Sequence, residues 1–304
     1  MPVNDTKATG HLFEKPLEAC PLCGSPKIRR LHRIERFEPA FTVDRCASCG
    51  FIFTNPRLTH DAMTALYGRD YYTGASDYSY YDERETEQYA RHVWDSRCEA
   101  IHRFIHGGNI LDVGSSFGGF LKSASKYYRP HGIEVSSYAG GYSISSIGPT
   151  IHIGTLKDHP FEDNYFSVIS MIELLEHLPD PLFALRECHR LLRDGGLLLI
   201  QTANMAGLQA RLQGKRYGYY LPGHCSYFTK KNLMDALTAC GFSRIKAFHP
   251  VEFGLIPKLK KSRGAFTSVW HYRAWLRIAA YHYISKIRFG NFAATSSMVL
   301  YAFK

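Results

Sequence analysis

The sequence predicts a doubly wound α/β domain built on a mostly parallel sheet and preceded by a small cysteine-built module. Three observations predict it: two C-x-x-C pairs near the N-terminus, a glycine-rich strand-to-helix turn within 107–127, and a strand, helix, strand succession over 161–204. Strands that alternate with helices need crossover connections, which make neighbouring strands parallel and put helices on both faces of the sheet.

Of the 304 residues, 45% are apolar and none lie in an extended polar tract, so most of the chain is expected to fold. Residues 1–15 are the exception, expected as a flexible tail. They lack the charged start, apolar run and small-residue cleavage site of a secretory signal, which makes a cytoplasmic location the expectation. Apolar runs such as GGLLLI at 195–200 are strand-sized, far below the roughly 18 residues of a membrane span. A net charge of +10 favours an anionic partner: nucleic acid, a phosphorylated sugar or nucleotide, or an acidic membrane surface.

The first folded unit is expected over 16–56. CPLCG and CASCG supply Cys20, Cys23, Cys46 and Cys49, two knuckles whose following glycines allow the backbone to turn its amides towards the sulfurs. The intervening residues alternate well enough for two short strands, and GFIFTNP continues as a third, the arrangement of a zinc ribbon. Four thiolates would close every coordination position, so the expected Zn2+ is structural; a redox or iron role and a metal-free module are the alternatives. The scattered Cys98, Cys188, Cys225 and Cys240 read as small core residues.

Residues 57–106 are expected as a linker and helical cap: a short helix from about Thr59, a tyrosine-rich connection, then a helix from about Asp82. Tyr89, Val93, Trp94, Ile101 and Ile105 recur at helical spacing, so that helix should lie over the sheet.

The core is expected over 107–256. In GGNILDVGSSFGGFLKSASKY an aliphatic run meets Asp112, and then Gly114, Gly118 and Gly119 open an amphipathic helix. Such a turn lets a ligand approach the backbone where a helix N-terminus offers free amides. HGIEVSS at 131–137 then reads as a second strand ending in Glu134, placed for ribose hydroxyls. Residues 166–171, EHLPDP, the segment LFALRECHRLLRDGG and LLLIQTAN supply a fourth strand, a helix entry, a helix ended by glycines and a fifth strand.

This order resembles the class I S-adenosylmethionine-dependent methyltransferases, whose Rossmann-like sheet carries an acidic residue before D-x-G-x-G-x-G and a ribose-binding acid at the end of the second strand. Asp112, Gly114, Gly118 and Glu134 match, while Ser116 stands where the family often has its middle glycine. The resemblance implies S-adenosylmethionine as cofactor, with Ile172 and Glu173 beside its methionine half and Thr155 and Leu156 beside adenine. Leu156 reads equally well as a core residue.

S-adenosylmethionine brings its own electrophile, so the protein must align the acceptor and, for a hydroxyl or acidic carbon, take a proton. His177 lies just past the fourth strand and is a candidate base or substrate contact, with helix capping as its alternative role. Glu176 could orient an imidazole or complement a helix N-terminus. His224 lies in GHCSYFT, which resembles the G-H-x-x-(Y/F)-F-T segment of small-molecule and sugar methyltransferases; it is a candidate for acceptor binding or proton removal, or else a buried histidine bonded to loop carbonyls.

Residues 257–290 form an expected basic amphipathic helical insert, with Val269, Tyr272, Leu276, Ala279, Tyr283 and Ile287 at helical spacing, before a last core strand in 291–304. The insert reads first as a helix packed on its own domain, then as a membrane-surface contact through 258–290, an oligomer interface or a nucleic-acid arm. Zinc ribbon, core and GHCSYFT together resemble bacterial sugar and small-molecule methyltransferases, implying O-methylation of a sugar hydroxyl in a cytoplasmic enzyme that could reach the inner membrane surface. Ribosomal RNA base methylation and a non-catalytic cofactor-binding protein are the alternatives.

Overall fold

The computed structural model describes residues 12–73, 82–148, 150–290 and 292–304. The tail expected over 1–15 lies outside these residues up to position 11. Its last part is tied down: Phe13 bridges Leu58, and Glu14 N donates to Arg57 O at 2.8 Å.

The cysteine module forms three antiparallel strands, β1 (Ile28–Ile34), β2 (Phe41–Cys46) and β3 (Ile52–Thr54). Its knuckle glycines Gly24 and Gly50 have φ of 70° and 74°, the left-handed turn the sequence required. Two short helices follow, α1 (His60–Leu66), capped by Thr59, and α2 (Arg69–Thr73). The tyrosine-rich stretch 74–81 lies outside the described residues. Then α3 (Glu83–His102) starts at Asp82, whose side chain accepts from Arg84 N, and buries Ala90, Trp94, Cys98 and Ile101.

The core continues as β4 (Asn109–Val113), α4 (Gly119–Ala124), β5 (Arg129–Glu134), α5 (Ser137–Ile147), β6 (Ile151–Ile153), β7 (Phe166–Ile172), α6 (Pro181–Leu191) and β8 (Leu192–Ala203). After α7 (Leu208–Gln213) come β9 (Ser226–Tyr227), α8 (Lys230–Ala239), β10 (Ile245–Phe248), α9 (Leu255–Ser262), α10 (Tyr272–Ile284), the hairpin β11 (Arg288–Phe289) and β12 (Phe292–Ala293), and β13 (Ser297–Phe303). Seven strands form one sheet in the order β10-β13-β8-β7-β4-β5-β6, parallel except where β13 runs against both β8 and β10. The chain winds outward from β4 to β6 and restarts on the other side at β7. That reversal marks the carboxyl ends of β4 and β7 as the place where sheets of this kind bind ligands.

Both faces of the sheet are buried. Ile110, Val168, Leu197 and Leu199 meet α3 and α4, whereas Leu111, Ile169, Leu198 and Ile200 face α6 and α8. The second face also holds Phe51 and Phe53 of the cysteine module, with Phe51 and Phe228 rings 5.2 Å apart. Each of these phenylalanines contributes about 1.5–3 kcal/mol by burial. The module thus shares the core of the large sheet, and its own sheet gains a fourth strand when β9 pairs with β3.

Two expectations are corrected. The helix expected to end at the glycines of RDGG stops at Leu191, because Leu192 already pairs with Phe166; the register then shifts so that Val168 pairs with Leu197, and Gly195 turns the chain inside the irregularity with φ of 70°. The insert over 257–290 is two helices, not one: α9 ends at Ser262, and a new capping box at Ser268 restarts the chain ahead of α10. Cys98, Cys188, Cys225 and Cys240 are buried thiols, as expected of core residues. Among the described residues no helix is long and apolar enough to cross a membrane.

Candidate functional site

Asp112, next to last in β4, has 5% of its surface exposed and accepts from Ser170 Oγ at 2.6 Å. Burial pushes its carboxyl up to about 8. The loop after it turns left-handed three times in five residues, at Gly114 (φ 78°), Ser116 (φ 49°) and Gly118 (φ 80°). A Cβ at Gly118 would lie 2.5 Å from Ser143 Oγ, so only glycine fits there. Ser116, the departure from the family pattern, adopts the backbone conformation a glycine would take, and its amide donates to Glu134 Oε2 at 2.8 Å.

Glu134 ends β5 and is buried. Its Oε1 accepts from Ser136 N at 2.8 Å and from Tyr72 OH at 3.1 Å. Desolvation raises its pKa while these donors oppose the rise. The hydroxyls of Ser115 and Ser116 are buried with no partner, two unsatisfied polar groups within the loop. This constellation suits a ligand with ribose hydroxyls and a charged amino-acid end, so the residues present fit S-adenosylmethionine.

The other expected cofactor residues flank the loop. Ile172 ends β7, and Glu173 follows with φ of 52°, a left-handed conformation unusual for a non-glycine residue. Glu173 accepts from Gln201 Nε2 at 2.7 Å, and Gln201 in turn contacts Arg97, which is ion-paired with Glu252 at 2.6 Å. Thr155 follows β6 and spends its hydroxyl on Asp158 at 3.0 Å. Leu156 is 7% exposed and packs in the core beneath it.

Glu176, His177 and His224 come together, one ligand-capable atom of each lying within 4.8 Å of the others. The His177 and His224 rings are 4.5 Å apart, edge to face. His224 Nδ1 lies 2.9 Å from the carbonyl of Tyr219, which assigns the proton to Nδ1 and leaves Nε2 as a lone pair. His177 Nδ1 meets Tyr67 OH at 2.5 Å and the carbonyl of Gly223 at 3.2 Å. Burial lowers His177 to about 4; burial, and then the neighbouring His177, hold His224 well below the usual histidine range. Glu176 moves the other way, raised by burial and by Glu173; Tyr219 OH donates to its Oε1, and its Oε2 has no partner.

Sequence reasoning missed the tyrosines. Tyr67 and Tyr72 come from the connection after the cysteine module and reach His177 and Glu134 respectively. Tyr219 ties Glu176 to Thr202 of β8, whose Oγ1 is 2.9 Å from the phenol oxygen. The aromatic density of YYTG and YGYYLPGH is the local signal for Tyr72 and Tyr219, and Tyr67 lies in neither segment.

The four module cysteines form a second cluster, with sulfur separations of 3.7 Å for Cys20 and Cys49 and 3.6 Å for Cys23 and Cys46. A tetrahedron with Zn–S bonds of about 2.3 Å has edges of about 3.8 Å, so the donor set fits that ion.

A protein-family model described as a methyltransferase domain matches residues 82–247. The ubiquinone biosynthesis O-methyltransferase of Vibrio vulnificus is 30% identical over 107 residues, 33% of this chain and 46% of that protein. The chain therefore spans less than half the length of that enzyme. An uncharacterized protein of Methanocaldococcus jannaschii is 24% identical over 183 residues, 60% of this chain and 84% of its own. Among solved structures, an S-adenosylmethionine-dependent methyltransferase of Thermotoga maritima superposes with a TM-score of 0.50 at 18% identity, covering 73% of this chain and 95% of its own. Phosphoethanolamine N-methyltransferase 2 of Haemonchus contortus gives 0.50 at 15% identity, over 90% and 71%.

Proposed function

Because this chain belongs to the methyltransferase-domain family and is an S-adenosylmethionine-dependent methyltransferase, we propose that it methylates a hydroxyl of a saccharide or sugar-bearing small molecule. The observation that carries the reading is His224: a neutral, buried imidazole with Nδ1 committed to the Tyr219 carbonyl and Nε2 left to accept a proton. S-adenosylmethionine supplies the methyl electrophile when bound. Gly114, Ser116 and Gly118 would admit its amino-acid end to the backbone, Glu134 its ribose and Asp112 the base of the turn, while Ile172, Glu173, Thr155 and Leu156 flank that loop.

In this reading His224 would take the acceptor's hydroxyl proton, so that the oxygen can accept the methyl group as its bond to the cofactor sulfur breaks. His177 contacts the same hydroxyl, and Glu176 positions the loop through Tyr219. Cys20, Cys23, Cys46 and Cys49 hold a structural Zn2+ that leaves no position for substrate. Unpaired buried thiols at the other four cysteines suit a reducing compartment, so we place the reaction in the cytoplasm.

The test is methyl transfer from isotopically labelled S-adenosylmethionine to a panel of nucleotide-linked and free sugars, with products read by mass spectrometry. An O-methyl sugar formed by the wild type and lost in His224→Gln supports the reading. Transfer to ribosomal RNA fragments with none to any sugar overturns the acceptor; failure to bind S-adenosylmethionine overturns the reading as a whole.

A further inference from the structure

The apolar stripe of the C-terminal insert points away from the protein. Val269, Tyr272, Leu276, Tyr283 and Ile287, spaced to share one face, are all exposed, Val269 and Leu276 at 74% each. The opposite face holds the helix in place: His282 and Ser285 are buried, and Thr295 Oγ1 donates to Ser285 Oγ at 2.7 Å. Of the 16 large hydrophobic side chains exposed among the described residues, ten lie between Ile256 and Phe289, so the outward face is a concentrated patch and not ordinary surface scatter.

Charge identifies what would cover it. Between Phe253 and Phe292 the sequence has eight lysines and arginines and no acidic residue, and none follows Glu252 to the end of the chain. Arg273 and Arg277 are exposed beside the stripe, Arg273 over the Trp270 ring at 5.2 Å, and Lys286 lies over Tyr283 at 5.0 Å. A second copy of the chain, docked about a two-fold axis, would set this cationic face against itself. An RNA would satisfy the cations but would leave Val269, Leu276 and Ile287 without an apolar partner. A bilayer surface satisfies both, since anionic headgroups neutralise the cations while Trp, Tyr and aliphatic side chains enter the headgroup boundary.

We propose that the arm formed by α9 and α10 docks the enzyme on an anionic phospholipid surface, with Val269, Trp270, Leu276, Tyr283 and Ile287 in the headgroup boundary. The cations would meet lipid phosphates at its margins. This holds whichever acceptor the enzyme methylates.

The experiment is co-sedimentation of the full-length protein with vesicles of phosphatidylcholine alone or mixed with phosphatidylglycerol, at physiological salt. Binding is expected only to the mixed vesicles, weakening as salt rises, with a blue shift of tryptophan emission as Trp270 leaves water. The double variant Trp270→Glu/Leu276→Glu should lose about tenfold or more in partitioning, and Arg273→Glu/Arg277→Glu likewise. Unchanged melting and S-adenosylmethionine affinity would show that these exposed substitutions leave the fold intact. Absence of binding to the mixed vesicles overturns the proposal, as does binding that the variants do not reduce. A solution dimer that Leu276→Glu dissociates, or RNA retention without vesicle binding, would assign the face to those partners instead and overturn it too.

Discussion

Thr54, in the last strand of the cysteine module, donates its hydroxyl to the backbone carbonyl of His224 across 2.6 Å. The same stretch is held twice more, by Thr54 N to Cys225 O at 3.1 Å and by Cys225 N to Glu176 O at 2.7 Å. The module is therefore a wall of the candidate acceptor site, and the order of its strands bears on the position of the proposed base.

Disrupting the cysteine cluster should consequently be felt at the acceptor side. Cys46→Ser should lose the metal and lower the melting temperature, with methyl transfer falling more steeply than S-adenosylmethionine affinity, because Asp112 and Glu134 lie on strands the module does not pair with. Metal analysis, calorimetry and cofactor titration check this together. Full zinc retention with native melting would count against a structural metal; equal losses in affinity and turnover would count against the wall.

Glu134→Ala removes the acceptor of three donors, Ser116 N, Ser136 N and Tyr72 OH, each of which is left without that partner. Calorimetric titration should show S-adenosylmethionine bound about tenfold more weakly or worse, a loss of about 1.4 kcal/mol. Tyr72→Phe keeps the carboxylate and frees its Oε1 of one donor, so it should leave binding near wild type or improve it. Unchanged affinity in Glu134→Ala would remove Glu134 from the cofactor site.

Asp112 sets a pH dependence whose sign is fixed by its raised pKa. Folded, it holds its proton until about 8, while the unfolded carboxyl ionises near its ordinary value of about 3.9. Stability from this group is therefore complete below about pH 4 and is lost as pH rises towards 8, by up to about 1.4 kcal/mol per pH unit. The depressed His177 and His224 act oppositely, favouring the fold as pH rises towards the ordinary histidine value of about 6.5. Comparison with Asp112→Asn isolates the aspartate: in the ligand-free enzyme that variant should gain on wild type steadily between pH 5 and 8 in denaturant unfolding. A constant difference would show that Asp112 is already ionised.

The contrast between what was and was not legible in the sequence follows from contact range. Asp112, Gly114, Gly118 and Glu134 sit in one strand, turn and second strand, and each cysteine pair is one turn, so spacing reveals them. Tyr67 meets His177 from 110 positions away and Thr54 meets His224 from 170, and no local pattern encodes such pairings. Helical spacing in the insert groups Val269, Tyr272, Leu276, Ala279, Tyr283 and Ile287, but periodicity does not say whether a face meets the core or the solvent. Leu192 shows a further limit: the local pattern continued the helix, whereas pairing with Phe166 drew the residue into the sheet.

The proposed base makes the sharpest prediction. His224→Gln should lower turnover by about 10²–10⁴-fold with cofactor affinity retained, since the imidazole packs against His177, Tyr219 and Tyr227 and the expected loss is that of a general base. Because burial keeps both site histidines neutral well into the acid range, with His177 at about 4, the acid limb of the wild-type rate profile should fall well below the ordinary histidine value of about 6.5. Tyr67→Phe removes a hydroxyl 2.5 Å from His177 Nδ1 and should change that limb without abolishing turnover. A limb centred near 6.5, or turnover that survives His224→Gln, would assign proton removal elsewhere, with His177 the next residue to test because its ring stands 4.5 Å from that of His224.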